Sequence, residues 1–191
     1  MIKIAVPLAQ GFEEIEAVVI IDVLRRADLD VTVVSITDEL EVIGAHSIKI
    51  TADQLFEDES FNDHDMIVLP GGIPGAVNLK NHTGLQNQIL NFHKKGKPLG
   101  AICAAPLVFG SLGILGNQTA TCYPGFEEQL LGAKTKGKNV ELSGKIVTGK
   151  GAGVAIEFAL KIVEMLKGKE LADELAMKMI VNLSDSDSNS Q

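Results

Sequence analysis

The sequence predicts an α/β fold in which a mostly parallel sheet is covered by helices on both faces, three layers in all. Three observations carry that expectation. Short, fully apolar runs such as residues 66–69 and 99–102 read as strands buried on both sides. Amphipathic stretches separate them, and strands joined through helices need right-handed crossovers and therefore run parallel. The composition, 46% hydrophobic and 22% charged over 191 residues, is that of a globular chain. A chain of this size can bury about 70% of its unfolded surface, so neither a disulfide nor a metal is needed for folding.

Taken in order, residues 2–8 read as a buried strand and 13–27 as a helix, with Ile15, Val18, Val19 and Val23 supplying its apolar spacing. Residues 31–36 form a second strand. The pieces 41–44 and 47–51 read as a hairpin, and the strand 66–69 is stopped by Pro70-Gly71-Gly72. A helix is expected over 83–95, a strand over 99–102, a helix over 104–112 and a strand over 118–122. A hairpin over 140–143 and 145–148 turns at Ser143-Gly144, and helices over 153–166 and 169–180 close the fold. No repeat or internal linker interrupts the pattern, so 1–183 is expected to be one domain. The serine-rich, low-complexity residues 184–191 are expected to be a disordered tail.

The formal charge is −8, with no clustered Lys/Arg face, which argues against a stable nucleic-acid complex because that affinity rests on neutralising phosphates. The uncharged stretch 99–115 contains Pro106, Ser111 and several glycines and reads as a strand turning into a buried helix, not a membrane span. The opening Met1-Ile2-Lys3-Ile4 runs straight into a strand pattern without signal-peptide features, so a reducing cytoplasm is the expected compartment for Cys103 and Cys122. His46, His64, His82 and His93 fall on segments that read as loops or solvated helix faces. None has ligand spacing with another, and no metal site is expected.

In a parallel sheet, ligands sit outside the carboxyl ends of the strands. Three loops there stand out: 11–16, 70–75 and 100–106. The last has the layout of a nucleophile elbow, a sharp strand-to-helix turn with small neighbours that pushes Cys103 out at a helix start, where dipole and free N–H groups would favour a thiolate. The plain alternative is a small buried hydrophobe. Gly71-Gly72 would let the backbone approach a ligand and present successive N–H groups, or could simply punctuate a turn. Phosphate-cradling motifs fail: no P-loop is present, and in 149–154 Val154 stands where a dinucleotide fingerprint needs Gly or Ala. No cofactor is expected.

Gly11-Phe12-Glu13-Glu14-Ile15-Glu16-Ala17, Val68-Leu69-Pro70-Gly71-Gly72, Ala101-Ile102-Cys103-Ala104-Ala105-Pro106 and Thr121-Cys122-Tyr123-Pro124-Gly125 together resemble the ThiJ/PfpI family. The likeness runs from Ile2 to about Val181 in the same motif order and is nearest to the branch of chaperones and protein deglycases. The resemblance implies a flavodoxin-like α/β/α sandwich of the class I glutamine amidotransferase-like superfamily, a homodimer, and a reactive Cys103 with Glu16 as its acidic partner. It also implies an anion or oxyanion pocket from the backbone of Gly71, Gly72 and Ala104, a dimer-interface Arg26 beside the site, and a glycine-rich turn at 151–154 near the pocket.

Two departures shape the chemistry. Protease and amidotransferase relatives carry a histidine directly after the cysteine, where this chain has Ala104, so a peptidase triad is incomplete. Deglycases often have a histidine where this chain has Tyr123, which can donate a hydrogen bond but is a weak base near neutrality. The mechanism then rests on Cys103 and Glu16. Two adjacent acids should hold one proton between them, with Glu16 donating to a thiolate that adds to an electrophilic carbonyl. The expected function is a cofactor-free glyoxalase or deglycase acting on reactive dicarbonyls or early glycation adducts of proteins and nucleotides. The alternative is a redox-sensing holdase chaperone with Cys103 as the oxidation sensor. A cysteine peptidase or amidase stands third.

Overall fold

Seven strands make the central sheet of the computed structural model, which describes residues 1–181. In chain order the elements are β1 (Lys3–Leu8), α1 (Glu14–Arg26), β2 (Asp30–Ser35), β3 (Glu41–Ile43), β4 (Lys49–Thr51), β5 (Gln54–Leu55), β6 (Met66–Leu69), α2 (Gly75–Asn81) and α3 (Thr83–Lys94). They continue with β7 (Leu99–Ile102), α4 (Pro106–Ser111), β8 (Thr119–Ala120), β9 (Lys134–Thr135), β10 (Val140–Ser143), β11 (Ile146–Gly149), α5 (Ala155–Lys167) and α6 (Lys169–Lys178). The sheet order is β10-β11-β7-β6-β1-β2-β5, parallel throughout except for the β10-β11 edge hairpin. β3-β4 and β8-β9 form two small sheets of their own. No described helix is long and apolar enough to cross a membrane.

Alternation along β1 divides the core. Ile4, Val6 and Leu8 face the layer of α1, α5 and α6, where they meet Ile20, Leu24, Phe158 and Ile162. Ala5 faces the opposite layer, built from Leu79 of α2, Leu85, Ile89 and Phe92 of α3, and Phe109 of α4. The small residue on that side lets the second helical layer approach. Helix α1 starts because Glu13 adopts an extended conformation (ψ 122°) and its carboxylate accepts the Glu16 N–H at 2.7 Å. Glu14 and Glu16 in its first turn and Arg25 and Arg26 in its last complement the helix dipole.

The flavodoxin-like three-layer architecture is therefore present, with four local corrections. Helix α2 was not expected, because Pro74-Gly75 at its start reads as loop; it forms because Ala76 and Leu79 are buried against the sheet. The expected strand 118–122 shrinks to β8 and lies outside the main sheet, paired with β9, since its neighbours turn away to reach the site. The expected helix 104–112 begins only at Pro106, where proline's fixed φ suits a first helical turn. The two-residue strands β5 and β9 are too short to leave a periodic signal. The tail expected at 184–191, and the domain end at 183, lie outside the described residues.

Gly110 in α4 gives a clear test of packing against propensity. Alanine would favour the helix by about 1 kcal/mol. A Cβ there, however, would sit 2.0 Å from the Gln129 carbonyl oxygen and 2.8 Å from the Leu130 Cα, both backbone atoms. Overpacking of that kind costs about 1–3 kcal/mol, so Gly110→Ala should lower Tm. A raised Tm in a thermal melt would show that the 126–130 turn yields freely.

Candidate functional site

Strands β1, β6 and β7 are neighbours, so the loops leaving their carboxyl ends converge. The chain leaves β1 for β2 on one side and, after β5, crosses to β6 on the other and continues to β7, which makes the β1/β6 boundary the switch point where open α/β sheets bind ligands. Backbone bonds lock the loops together. Glu13 N–H donates to Gly71 O at 2.9 Å, Gly75 N–H to Gly11 O at 3.0 Å, Cys103 N–H to Gly149 O at 2.9 Å and Tyr123 N–H to Cys103 O at 2.8 Å.

Cys103 has φ +62°, a left-handed conformation that a non-glycine residue adopts under strain of order 1–3 kcal/mol. The elbow read from the sequence is thus real. The Gly72 and Ala104 N–H groups lie near the Cys103 sulfur and favour a thiolate, and the Glu16 carboxyl group sits beside it and opposes one. Glu16 is fully buried, and its Oε2 accepts the Gly71 N–H at 2.8 Å. Oε1 is buried without a partner of ordinary geometry among the described residues. Gly71 must lack a side chain here, since a Cβ would lie 2.7 Å from the Cys103 Cβ and 2.8 Å from Glu16 Oε2.

Burial pushes the Glu16 carboxyl up to about 7, against the opposing pull of the Gly71 N–H and the thiol. Burial, and then the negative charge of Glu16, push the Cys103 thiol up to about 12, although the Gly72 and Ala104 N–H groups act the other way. Two anions side by side are disfavoured: the pair loses its first proton near 7 and holds the second well above neutrality. With that proton on Oε1, the carboxyl donates to a thiolate; with it on sulfur, the thiol donates to the carboxylate.

This corrects the expectation that a helix terminus lowers the thiol: α4 begins three residues later, and the net shift at Cys103 is upward. Gly71 also changes role. Its N–H is spent on Glu16, so only the Gly72 and Ala104 N–H groups face the sulfur. Tyr123 borders the site through its backbone, with its side chain half exposed and packed near Gly151. Arg26 is not brought in by this chain. It lies ten residues along α1 from Glu16, ~15 Å at the helical rise, and pairs with Asp22 at 2.7 Å on the surface. Cys122 is buried, with its thiol pushed up to about 11 by burial and by Glu127.

The histidines also need correction. His64 is buried rather than at the surface, near Ser60 O and the Phe61 ring, and His82 caps α3 by accepting the Leu85 N–H at 3.0 Å. Exposed His46 meets buried Glu14 at 2.7 Å, and Glu13, Glu14 and His46 bring donor atoms within 4.8 Å of one another. Sequence spacing could not show that cluster, because 32 residues separate Glu14 from His46. Burial pushes Glu14 up, but bonds from the His46 ring and from the backbone N–H groups of His46 and Ile48 outweigh it and hold the carboxyl low. Glu14 is thereby committed to fastening the β3-β4 turn.

The raised Glu16 pKa is a statement about stability. Between about 4.5 and 7 the folded chain binds the Glu16 proton more tightly than the unfolded chain, so stability falls as pH rises through that window. The loss attributable to Glu16 amounts to about 3 kcal/mol. Glu16→Gln should match wild type near pH 5 and exceed it by up to that amount near pH 8 in urea unfolding. Equal stability differences at both pH values would show that Glu16 titrates normally.

Residues 2–165 match the DJ-1/PfpI family. The chain is 43% identical over 187 residues to "Protein DJ-1 homolog B" of Arabidopsis thaliana, covering 97% of this chain and 43% of that protein, and spans less than half the length of the first two curated relatives it matches. It is 36% identical over 165 residues to "Glutathione-independent glyoxalase DJR-1.2" of Caenorhabditis elegans, covering 85% of this chain and 87% of the relative. Among solved structures, "Toxoplasma gondii DJ-1, oxidized" superposes with a TM-score of 0.88 at 38% identity, over 94% of this chain and 98% of the other. The chain belongs to the DJ-1/PfpI family, as its four motifs and its sheet topology imply.

Proposed function

We propose that the chain is a cofactor-free glyoxalase or deglycase that acts on reactive dicarbonyls, or on early glycation adducts, through Cys103 and Glu16. One observation carries this reading: a strained, partly exposed cysteine lies against a fully buried carboxyl group, with the Gly72 and Ala104 N–H groups near its sulfur. A relative named as a glutathione-independent glyoxalase supports it.

On a 2-oxoaldehyde, the sulfur adds to the aldehyde carbon while the shared proton passes to the carbonyl oxygen as the carbon–oxygen double bond opens. The Gly72 and Ala104 N–H groups stabilise the developing negative charge, an effect usually worth ~10²–10³ in rate. Glu16, now a carboxylate, takes the proton from that carbon and returns it to the neighbouring ketone carbon while the new hydroxyl's proton crosses to the ketone oxygen, leaving a 2-hydroxy thioester. Water hydrolyses the thioester to a 2-hydroxy acid and the free thiol. One carbon is oxidised as its neighbour is reduced, so the electrons balance within the substrate.

The test is methylglyoxal consumption with lactate formation, followed for wild type, Cys103→Ser, Glu16→Gln and Glu13→Gln. Cys103→Ser should be inactive and Glu16→Gln should lose ~10²-fold or more. Glu13→Gln, which keeps a cap acceptor and removes only the smallest of the effects on Glu16, should stay within a fewfold of wild type. Wild type without turnover, or Glu16→Gln at full rate, would reject the mechanism.

The second reading, a redox-sensing holdase, draws on the same thiol and on the oxidised state named for the Toxoplasma relative. Mild peroxide should then place added oxygens on Cys103 in preference to buried Cys122, as peptide mass spectrometry would show. We further propose a homodimer in a reducing, cytoplasmic setting. Ile15 and Val18 stand 57% and 49% exposed on α1 although both are large and apolar, a face that a second copy would cover. Light scattering should return about twice the 20.3 kDa chain mass, and a monomer at micromolar concentration would refute the pairing.

A further inference from the structure

The segment from residue 134 to 150 is out of character for this chain. It holds five lysines against one glutamate, a net +4 in a protein of net −8. Its hydrogen bonds set part of it against the nucleophile. Thr121 Oγ1 donates to Lys138 O at 2.8 Å, and two residues later Tyr123 N–H donates to Cys103 O at 2.8 Å. On the other flank, Cys103 N–H donates to Gly149 O at 2.9 Å. The next residue, Lys150, donates its N–H to Asn139 O at 2.9 Å and its Nζ to Gly137 O at 3.3 Å. Lys136 and Lys138 are exposed, and Lys150 is half buried.

None of these three lysines is in an ion pair among the described residues. Of the acids nearby, Glu127 accepts the Gly125 N–H at 2.7 Å and Glu157 accepts the Asn139 amide at 3.5 Å, while Glu141, buried on β10 opposite Thr148, keeps an Oε1 without a hydrogen-bond partner and is in no ion pair with these lysines among the described residues. Lys145 does not belong to the group, since it sits at the opposite end of β11 and donates to Gly96 O at 2.7 Å. The backbone of a lysine-bearing segment thus runs along one side of the Cys103 elbow, in a chain of net −8, and three of its lysines are in no ion pair among the described residues. A site for neutral dicarbonyls alone has no use for them. An anionic substrate would be drawn to that side of the site, with its charged end at the rim and its carbonyl toward the sulfur.

We propose that Lys136, Lys138 and Lys150 form a cationic rim that selects small carbonyl substrates bearing a phosphate or carboxylate group for reaction at Cys103. The proposal rests on Cys103 being the reactive thiol and deepens the dicarbonyl reading, but its decisive test needs no turnover. Iodoacetate and iodoacetamide alkylate a thiol by the same displacement of iodide and differ chiefly in charge. Their rates at Cys103, followed by peptide mass spectrometry at low salt, give a ratio that reports the local field. The triple variant K136Q/K138Q/K150Q should lower the iodoacetate-to-iodoacetamide ratio ~5-fold, and 0.5 M salt should shrink the difference between variant and wild type. The control K145Q should leave the ratio unchanged.

A companion assay compares a phosphate-bearing 2-oxoaldehyde with methylglyoxal. The triple variant should lose kcat/KM for the former while keeping methylglyoxal turnover within twofold. An unchanged alkylation ratio, or an equal fall in both alkylation rates, would overturn the rim. Absent turnover of both aldehydes with a shifted alkylation ratio would reject the glyoxalase reading and leave the rim standing.

Discussion

The structure around the site depends on one constraint: a carboxyl group and a thiol buried together can keep only one negative charge between them. Glu16 has no exposed surface, a single backbone N–H on Oε2, and an Oε1 whose natural partner is the sulfur. A lone carboxylate in such a place is expensive to desolvate, and the cost appears as a raised pKa. What limits the cost is that, once the first proton leaves near 7, the second stays with the pair well above neutrality. The surrounding backbone follows from that requirement. Gly71 must be a glycine so that sulfur and carboxyl can meet over it, and Cys103 must accept a left-handed conformation to aim its sulfur there. The adjacency of β1, β6 and β7 supplies the three loops, and two packed helical layers hold them rigid enough to sustain the strain.

The start of α1 shows how finely neighbouring residues are divided by geometry. Glu13, Glu14 and Glu16 are chemically alike and read together as a helix-start charge cluster. In space they have three occupations. Glu13 caps the helix, Glu14 turns back to fasten the β3-β4 turn through His46 and Ile48, and Glu16 points into the site. Successive helical positions are rotated by about 100°, so acids at consecutive and next-but-one positions cannot share a direction. A substitution at one therefore says little about another.

What was legible in the sequence had a local cause. β1, β6 and β7 are buried on both faces and leave continuous apolar runs, and the elbow at Cys103 is visible because only small residues fit around it. What was illegible depended on distant partners. Helix α2 follows a proline- and glycine-rich loop and is held by burial, not propensity. Glu14 and His46, and Gly71 and Glu16, are paired across 32 and 55 residues respectively. The direction of the thiol shift is illegible for a related reason. Sequence order sets Cys103 at the head of α4, whereas the chain turns through three residues before the helix begins, and burial with Glu16 sets the sign instead.

The shared proton also ties the two functional readings together. On the two proposed readings, a carbonyl substrate and a peroxide, both electrophiles, would react at the same sulfur. If peroxide carries Cys103 to the sulfinic acid, the sulfur can no longer add to a carbonyl, and its new oxygens become the natural acceptors for Glu16 and for the Gly72 and Ala104 N–H groups. Every group that would assist turnover would then hold the oxidised form in place. Catalysis and oxidation sensing would thus be exclusive states of one site. Which state dominates would be set by the relative supply of carbonyl and oxidant, because no second thiol among the described residues shares this environment.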